Sequence, residues 1–224
     1  MSTPLLVSIQ VGLPRWHGHP GADDPMDRPW ESGFFKQAVD GPRWLGRTNL
    51  AGDGQADLVN HGGPDKAVLC YAASHYPAWR AELDRPDLPH GAFGENFTIE
   101  GLTEETVHLG DTYRLGDAIV QVSQPRQPCW KMGRRWQIVD LPKQVIANGR
   151  SGWYLRVLQA GELAAGTPIE LVSRPRPTWT IARASKLLYH EPDNVADMED
   201  LANLPELSRA WREELLERIA RRAK

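Results

Sequence analysis

Cysteine is scarce. The 224 residues hold two, Cys70 and Cys129. They sit in unlike surroundings, so both read as free thiols in a reducing compartment, and a cytoplasmic protein is expected. Two cysteines also exclude zinc fingers, for want of ligands at the required spacing. An excess of one charge is lacking as well: the formal net charge is −3. No global field draws the chain to nucleic acid or to an anionic membrane, so any anion site must be built locally and stable nucleic-acid binding is not expected. No apolar run approaches the length of a membrane span. The opening "MSTPLLVSIQVGLPRW" lacks the basic n-region and long h-region of a signal peptide. Also missing are the Walker loop, the Rossmann fingerprint, His-Glu-x-x-His and Gly-x-Ser-x-Gly, which removes the common nucleotide and hydrolase signatures.

What the chain does hold is tryptophan (9), glycine (20) and proline (18). Up to about residue 172 it consists of short apolar segments broken by Gly, Pro and Asp. Leu6, Val7, Ile9 and Val11 alternate as a first strand. The stretches 67–73, 106–116, 118–124 and 168–174 read as further strands, with Gly-Asp turns joining a meander. A short helix is expected after Pro77, and a second helical piece ending near Gly149, followed by a strand. This predicts a mainly β (α+β), barrel-like domain over 1–174. "RPRPTW" (174–179) cannot continue a strand and reads as a linker. Beyond it, Ile181, Ala184, Leu187 and Leu188 have helical spacing. Asp193 or Asn194 can cap a second helix with Val195, Met198 and Leu201, and Leu207, Trp211, Leu215 and Ile219 make a stripe on a third. A three-helix unit over 175–224 is too small to be stable alone and is expected to dock on the β domain. The basic end "RIARRAK" matches a helix C-terminus.

Four clusters can carry chemistry. "ESGFFKQAVDGP" (31–42) sets a Gly turn before Lys36. "GDGQADLVNHGGPDKAV" (52–68) is a long polar connection in which His61, Gly62 and Gly63 allow close backbone approach to an anion. "PHGAFGENFTIEGL" (89–102) is either a ligand loop or a tight bend whose Glu95 satisfies backbone amides. "VSQPRQPCWKMGRRW" (122–136) reads as a rigid basic loop holding Cys129 near Arg126, Lys131, Arg134 and Arg135. Cys70, inside an apolar strand, reads as packing. Cys129 differs, since basic neighbours favour a thiolate, the form that attacks carbon or binds a soft metal. One thiolate cannot hold zinc or an iron–sulfur cluster by itself, but it can hold a metal whose other ligands come from an organic cofactor, with arginines on that cofactor's phosphate.

In this order the clusters resemble the YiiM-like branch of the MOSC family, named for the C-terminal domain of molybdenum cofactor sulfurases. The resemblance rests on "SGFFKQAV", "GDGQADLVNHGGPDKAV", "GAFGENFTIEGL", "GDTYRLGDAIVQVSQPRQPCWKM" and "GRSGWYLRVL", and with the C-terminal helices it covers nearly the whole chain. It implies a closed or nearly closed β-barrel-like core followed by a three-helix unit. It also implies binding of the molybdenum cofactor (molybdopterin), with Cys129 as metal ligand. The implied reaction is reduction of N-hydroxylated compounds, such as 6-N-hydroxylaminopurine, to amines, which detoxifies base analogues. Electrons would come from a separate flavoprotein reductase. On this resemblance Lys36, His61, Lys66, Arg126 and Arg134 are candidates for cofactor-phosphate or metal-oxo contacts. Asp65, Glu95 and Asn96 are candidates to orient those groups or relay protons. Phe34 and Phe35 depart from the family pattern, in which the first position is commonly smaller, and can alter pocket lining. Two rivals stand beside this reading. One is a non-catalytic carrier of the cofactor or of sulfur, although no pyridoxal-phosphate domain suggests a sulfurase role. The other is a cysteine hydrolase pairing Cys129 with His61, for which no orienting acid is identifiable. Assembly is left open, and a homodimer is compatible with the sequence.

Overall fold

A computed structural model describes residues 3–222. Twelve strands form: β1 (Leu5–Val11), β2 (Arg15–His17), β3 (Trp30–Ser32), β4 (Gln37–Ala38), β5 (Arg43–Leu45), β6 (Val68–Ala72), β7 (Phe97–Glu100), β8 (Thr112–Leu115), β9 (Ala118–Pro125), β10 (Trp153–Gln159), β11 (Gly161–Leu163) and β12 (Ile169–Ser173). Six helices accompany them: α1 (Tyr76–Glu82), α2 (Trp130–Trp136), α3 (Leu141–Asn148), α4 (Ile181–His190), α5 (Val195–Ala202) and α6 (Arg209–Arg222).

Eight strands make one mixed sheet in the order β12-β8-β9-β10-β6-β7-β1-β4. The sheet curls until its far members meet. Leu6 N donates to Thr167 O at 3.0 Å, Gly166 N to Leu6 O at 2.7 Å, and Ile169 N to Pro4 O at 2.9 Å. Those bonds join the start of β1 to the approach of β12, so the expected barrel-like domain is what forms. The period-2 pattern explains the lining. Ala118, Val120 and Val122 on β9, and Trp153, Leu155 and Val157 on β10, are buried in one core with Leu6, Ile9 and Phe97. Among the described residues the only parallel pair, β6 with β7, is bridged by the crossover that carries α1.

The same core continues into the C-terminal helices through Trp179, Ile181, Leu187, Leu201, Trp211 and Leu215. Thr180 caps α4 through Arg183 N, and of the two candidate caps for α5 it is Asn194 that accepts from Asp197 N. The 174–179 segment is tied down at several points: Arg174 pairs with Asp111, Arg176 with Glu206, and the Trp179 indole donates to Asp200. Trp211 is fully buried where this unit meets the barrel. Trp211→Ala is expected to cost about 3–5 kcal/mol. In urea the protein should still unfold in one transition, because one core spans both parts; a separate early melting of the helices would contradict this.

Two expectations need correction. The stretch 106–116 is a strand only from Thr112 onward. Before it the backbone bends around Asp111, a fully buried carboxylate that accepts from His108 N (3.0 Å), the Tyr113 hydroxyl (2.8 Å) and Arg174 (2.8 and 2.7 Å). The stretch 122–136 is not a loop throughout: β9 runs to Pro125 and α2 starts at Trp130.

Candidate functional site

The end of β9 and the start of β10 build the site. Tyr154 is opposite Gln124, yet Leu155 is opposite Val122, so β9 spends one extra residue, Ser123, as a bulge. Ser123 Oγ pins it, donating to Asp65 O (2.6 Å) and Tyr154 O (3.1 Å). Four residues beyond Pro125 the chain reaches Cys129, which is extended (φ −122°, ψ 163°) at the head of α2. Lys131 and Met132 of α2 are buried, which fixes the helix and with it the cysteine.

Cys129 lines a cleft of about 580 Å³ together with Lys36, His61, Lys66, Asn96 and Arg126. Six of the sequence candidates are thus brought together from four separate stretches. Tyr154, Lys131 and Gln127 complete the wall. No carboxylate lines this cleft among the described residues, whereas Lys36, Lys66, Lys131 and Arg126 all do. Asp53 lies one layer behind, and Asp57 borders the outer mouth. Asp53 pairs with Lys36 and also accepts from Gly12 N (2.8 Å) and Asn96 Nδ2 (2.9 Å). Asp57 accepts from Asn60 and lies 3.3 Å from His61 Nδ1. Arg126 is 2% exposed; one guanidinium nitrogen donates to Phe93 O at 2.9 Å, and Nη1 has no partner among the described residues. A buried cationic donor without an acceptor is costly, so an anionic group bound beside it fits this wall.

Protonation follows from burial. Burial pulls the Lys36 ammonium down, and the adjacent Asp53 carboxylate works against that. His61 is lowered chiefly by burial and then by the charge of Lys131, so its imidazole is neutral at neutral pH. Asp57 is held well below the ordinary carboxylate range by hydrogen bonds from Asn60. The Tyr154 phenol is pushed up to about 12 by burial, against the pull of Arg126 and with a further push from Cys129. It therefore keeps its proton.

Five candidates lie elsewhere. Asp65 turns away to pair with Arg156 at 2.8 Å and to accept from Arg209 N at 3.3 Å, tying the loop to β10 and α6. Glu95 is fully buried, its carboxylate filled by Tyr76, Gly91 N, Phe93 N and Thr98. Arg134 faces outward, donating to the carbonyls of Pro25 and Arg28 and stacking 4.8 Å over Trp130. Gly63 has φ +92° and ends the loop where Pro64–Lys66 makes a 3-10 turn, its carbonyl accepting from Lys66 N at 3.1 Å. At Gly62 a Cβ would come within 3.0 Å of Leu58. These two glycines shape the loop and do not line the cleft. By contrast Gly94 does line it, with φ +81°, and a Cβ there would strike the Phe34 ring at 2.6 Å.

The cleft opens outward past Trp130, whose exposed indole meets Trp30 edge-on at 5.2 Å, into a wider vestibule that Cys129, His61 and Lys66 also line and that Glu31, Asp57 and Glu214 of α6 border. The C-terminal unit therefore forms part of the mouth. No hydrogen bond joins the Cys129 thiol to His61 among the described residues. Asp57 supplies the orienting acid that could not be picked out from sequence, but the nucleophile–base contact of a cysteine hydrolase is not made. Sequence reasoning missed Tyr154. Its only signal was position, at the first turn-free residues after "NGRSG" and across from the Cys129 stretch.

Comparison with known proteins places these features in context. The MOSC domain model matches residues 57–170, and the model described as YiiM-like, 3-alpha helix domain matches 179–222. An uncharacterised protein, YflK, of Bacillus subtilis (strain 168) is 42% identical over 92% of this chain and 90% of its own length. A protein named Reductase from Gibberella moniliformis is 40% identical over 78% of this chain, which accounts for 31% of that longer protein. The crystal structure of YiiM from Geobacillus stearothermophilus superposes with a TM-score of 0.81 at 40% identity, covering 96% of this chain and 99% of the other.

Proposed function

Because the chain belongs to the YiiM-like branch of the MOSC-domain family, we propose that its cleft holds the molybdenum cofactor through Cys129 and that the protein reduces N-hydroxylated compounds to amines. The observation that carries this reading is the pairing of one thiol with four cations in an inner cleft that no carboxylate lines among the described residues, the nearest acids bordering only the outer vestibule. A soft metal needs the thiol, and an anionic organic ligand needs the cations. The Gibberella moniliformis relative, named Reductase, supports redox chemistry. No three His, Cys, Asp or Glu side chains cluster to hold an ion among the described residues. A metal at Cys129 would draw its remaining ligands from the cofactor.

When bound, the cofactor supplies two-electron chemistry at the metal. The balance is R–NH–OH plus two electrons and two protons giving R–NH2 and water. The chain's own residues do the rest. Arg126, Lys66 and Lys131 bind and orient the phosphate-bearing end, and Lys36, braced by Asp53, adds a fixed positive charge. His61 is oriented by Asp57 through Nδ1, which leaves Nε2 as the exchangeable position. Tyr154 holds a proton on its hydroxyl beside Cys129. The exposed Trp130 indole offers a π-face at the mouth for a flat base. Electrons come from a separate flavoprotein reductase, and the substrate is a small N-hydroxylated base or amidoxime.

The test uses protein produced in a host that makes the cofactor. Loaded protein given a reduced electron donor should convert 6-N-hydroxylaminopurine to adenine, followed by chromatography. Metal loading without turnover would sink the enzyme reading and favour a carrier.

A further inference from the structure

On the other side of Lys36 lies a second cleft that the proposed chemistry does not use. It is an open cleft of about 1020 Å³, lined by Phe35, Lys36, Gln37, Arg80, His90 and Arg135, with Ser8, Ala38 and Pro89 completing it. Three basic side chains, Arg80, His90 and Arg135, come to it from α1, the loop before Gly91 and α2, and Lys36 lines it from the approach to β4 with its ammonium committed to Asp53. No carboxylate lines it among the described residues.

Both arginines are held in place by neutral groups. Arg80 donates twice to Leu88 O, from Nε at 3.1 Å and Nη2 at 2.9 Å, and its guanidinium lies 5.5 Å over the Tyr76 ring. Arg135 donates through Nη1 to Phe34 O (3.0 Å) and Gly91 O (2.5 Å), and lies 5.3 Å over Phe35. Neither takes part in a salt bridge among the described residues, and each keeps N–H groups beyond those that fix it. The nearby acids are already committed: Asp53 to Lys36, and Glu95 to Tyr76, Thr98 and two backbone amides. With Lys36 and Asp53 neutralising each other, two arginines against the one buried Glu95 leave an excess of positive charge at the open face. Guanidinium groups that are preorganised but unpaired make the geometry that recognises tetrahedral and carboxylate oxyanions. The Phe35 ring, 37% exposed, adds an apolar wall next to them.

We propose that this cleft is an oxyanion subsite, distinct from the Cys129 cleft, that takes the phosphoryl group of a small phosphate ester. Phosphate of this kind has two sources, a free metabolite or the far end of a bound cofactor, and the experiment separates them.

Inorganic phosphate is titrated into the full-length protein, with binding followed by calorimetry and by the NMR signals of the His90 ring. Saturable binding is expected. Gln37 is exposed at the cleft's edge, so Gln37→Glu adds a like charge without disturbing the core and should weaken phosphate about tenfold or more. Arg80→Gln should do the same at the His90 signals, while Lys186→Gln, on the exposed face of α4 and away from both clefts, should leave that affinity unchanged. Circular dichroism checks that each variant is folded. Equal phosphate affinity at the His90 signals in wild type and Gln37→Glu overturns the proposal, as does calorimetric binding that leaves the His90 signals unmoved, because the anion then sits elsewhere. Given loss in Gln37→Glu, cofactor content per chain identifies the source. Reduced loading in that variant moves the cofactor's phosphate from the Arg126–Lys66–Lys131 wall to this cleft, and unchanged loading names a free phosphate ester.

Discussion

Cys129→Ala should bring molybdenum per chain down to background when the variant is made beside wild type in a cofactor-producing host. The only other thiol cannot replace it. Cys70 lies on β6 in the barrel core, fully buried, and burial pushes its thiol far up. Outer partners of metal ligands commonly cost about 10–100-fold in affinity when removed, and losing the single protein ligand should exceed that. The basic side proposed for the phosphate is untouched by the change, since Arg126, Lys66 and Lys131 remain in the wall. Some pterin should therefore persist after metal is lost, measured as fluorescence of its oxidised form. Cys129→Ser is the matched control: it keeps the volume but offers a hard oxygen in place of soft sulfur, and should also fail to retain metal. Equal metal content in all three proteins would remove Cys129 from the ligand sphere and take the proposed function with it.

The barrel was legible because its strands alternate. Val120 and Val122, or Leu155 and Val157, state which face is inside with no knowledge of the partner strand. The C-terminal helices were legible through their caps and stripes. α2 was not, since its seven residues include Gly133, three of them are basic, and Pro128 stands just before; Met132 buried among Leu141 and Val145 is what makes the segment helical. The site was half legible for a related reason. The polar stretches that contain it carry acids and bases intermixed, and spacing gives no direction to a loop side chain. The fold sorts them. Lys36, His61, Lys66 and Arg126 turn toward Cys129, while Asp53, Asp65 and Glu95 turn to partners behind the wall and Asp57 stays at the outer mouth on His61. Asp65 finds Arg156 across 91 positions of sequence, a pairing that only the completed β9–β10 ladder creates. Tyr154 depends in the same way on the Ser123 bulge, which exists only in the pairing of two strands.

Glu95 shows what that sorting implies for a residue first read as catalytic. Its Oε1 accepts from the Tyr76 hydroxyl, Gly91 N (2.6 Å) and Thr98 Oγ1 (3.1 Å), and its Oε2 accepts from Phe93 N (3.1 Å). Four donors converge on a group that only accepts. Glu95→Gln preserves shape but replaces one oxygen with an NH2 that meets a donor already pointing at it. Hydrogen bonds to charged groups are worth about 1.5–3 kcal/mol each, and a buried unsatisfied group costs a similar amount, so a loss of about 2–4 kcal/mol in unfolding free energy is expected from urea titration. The effect should extend to the cleft without direct contact. The loop that Glu95 holds presents Phe93 O to Arg126 and Gly91 O to Arg135, and places Gly94 in the wall. Cofactor loading should therefore weaken along with stability, whereas turnover per loaded site should stay within a few-fold of wild type, because no bond to reacting atoms has been removed. A variant as stable as wild type and loaded to the same level, but without turnover, would return Glu95 to the chemistry. A variant that is less stable, loads poorly and turns over normally once loaded makes it a positioning residue, acting through Arg126.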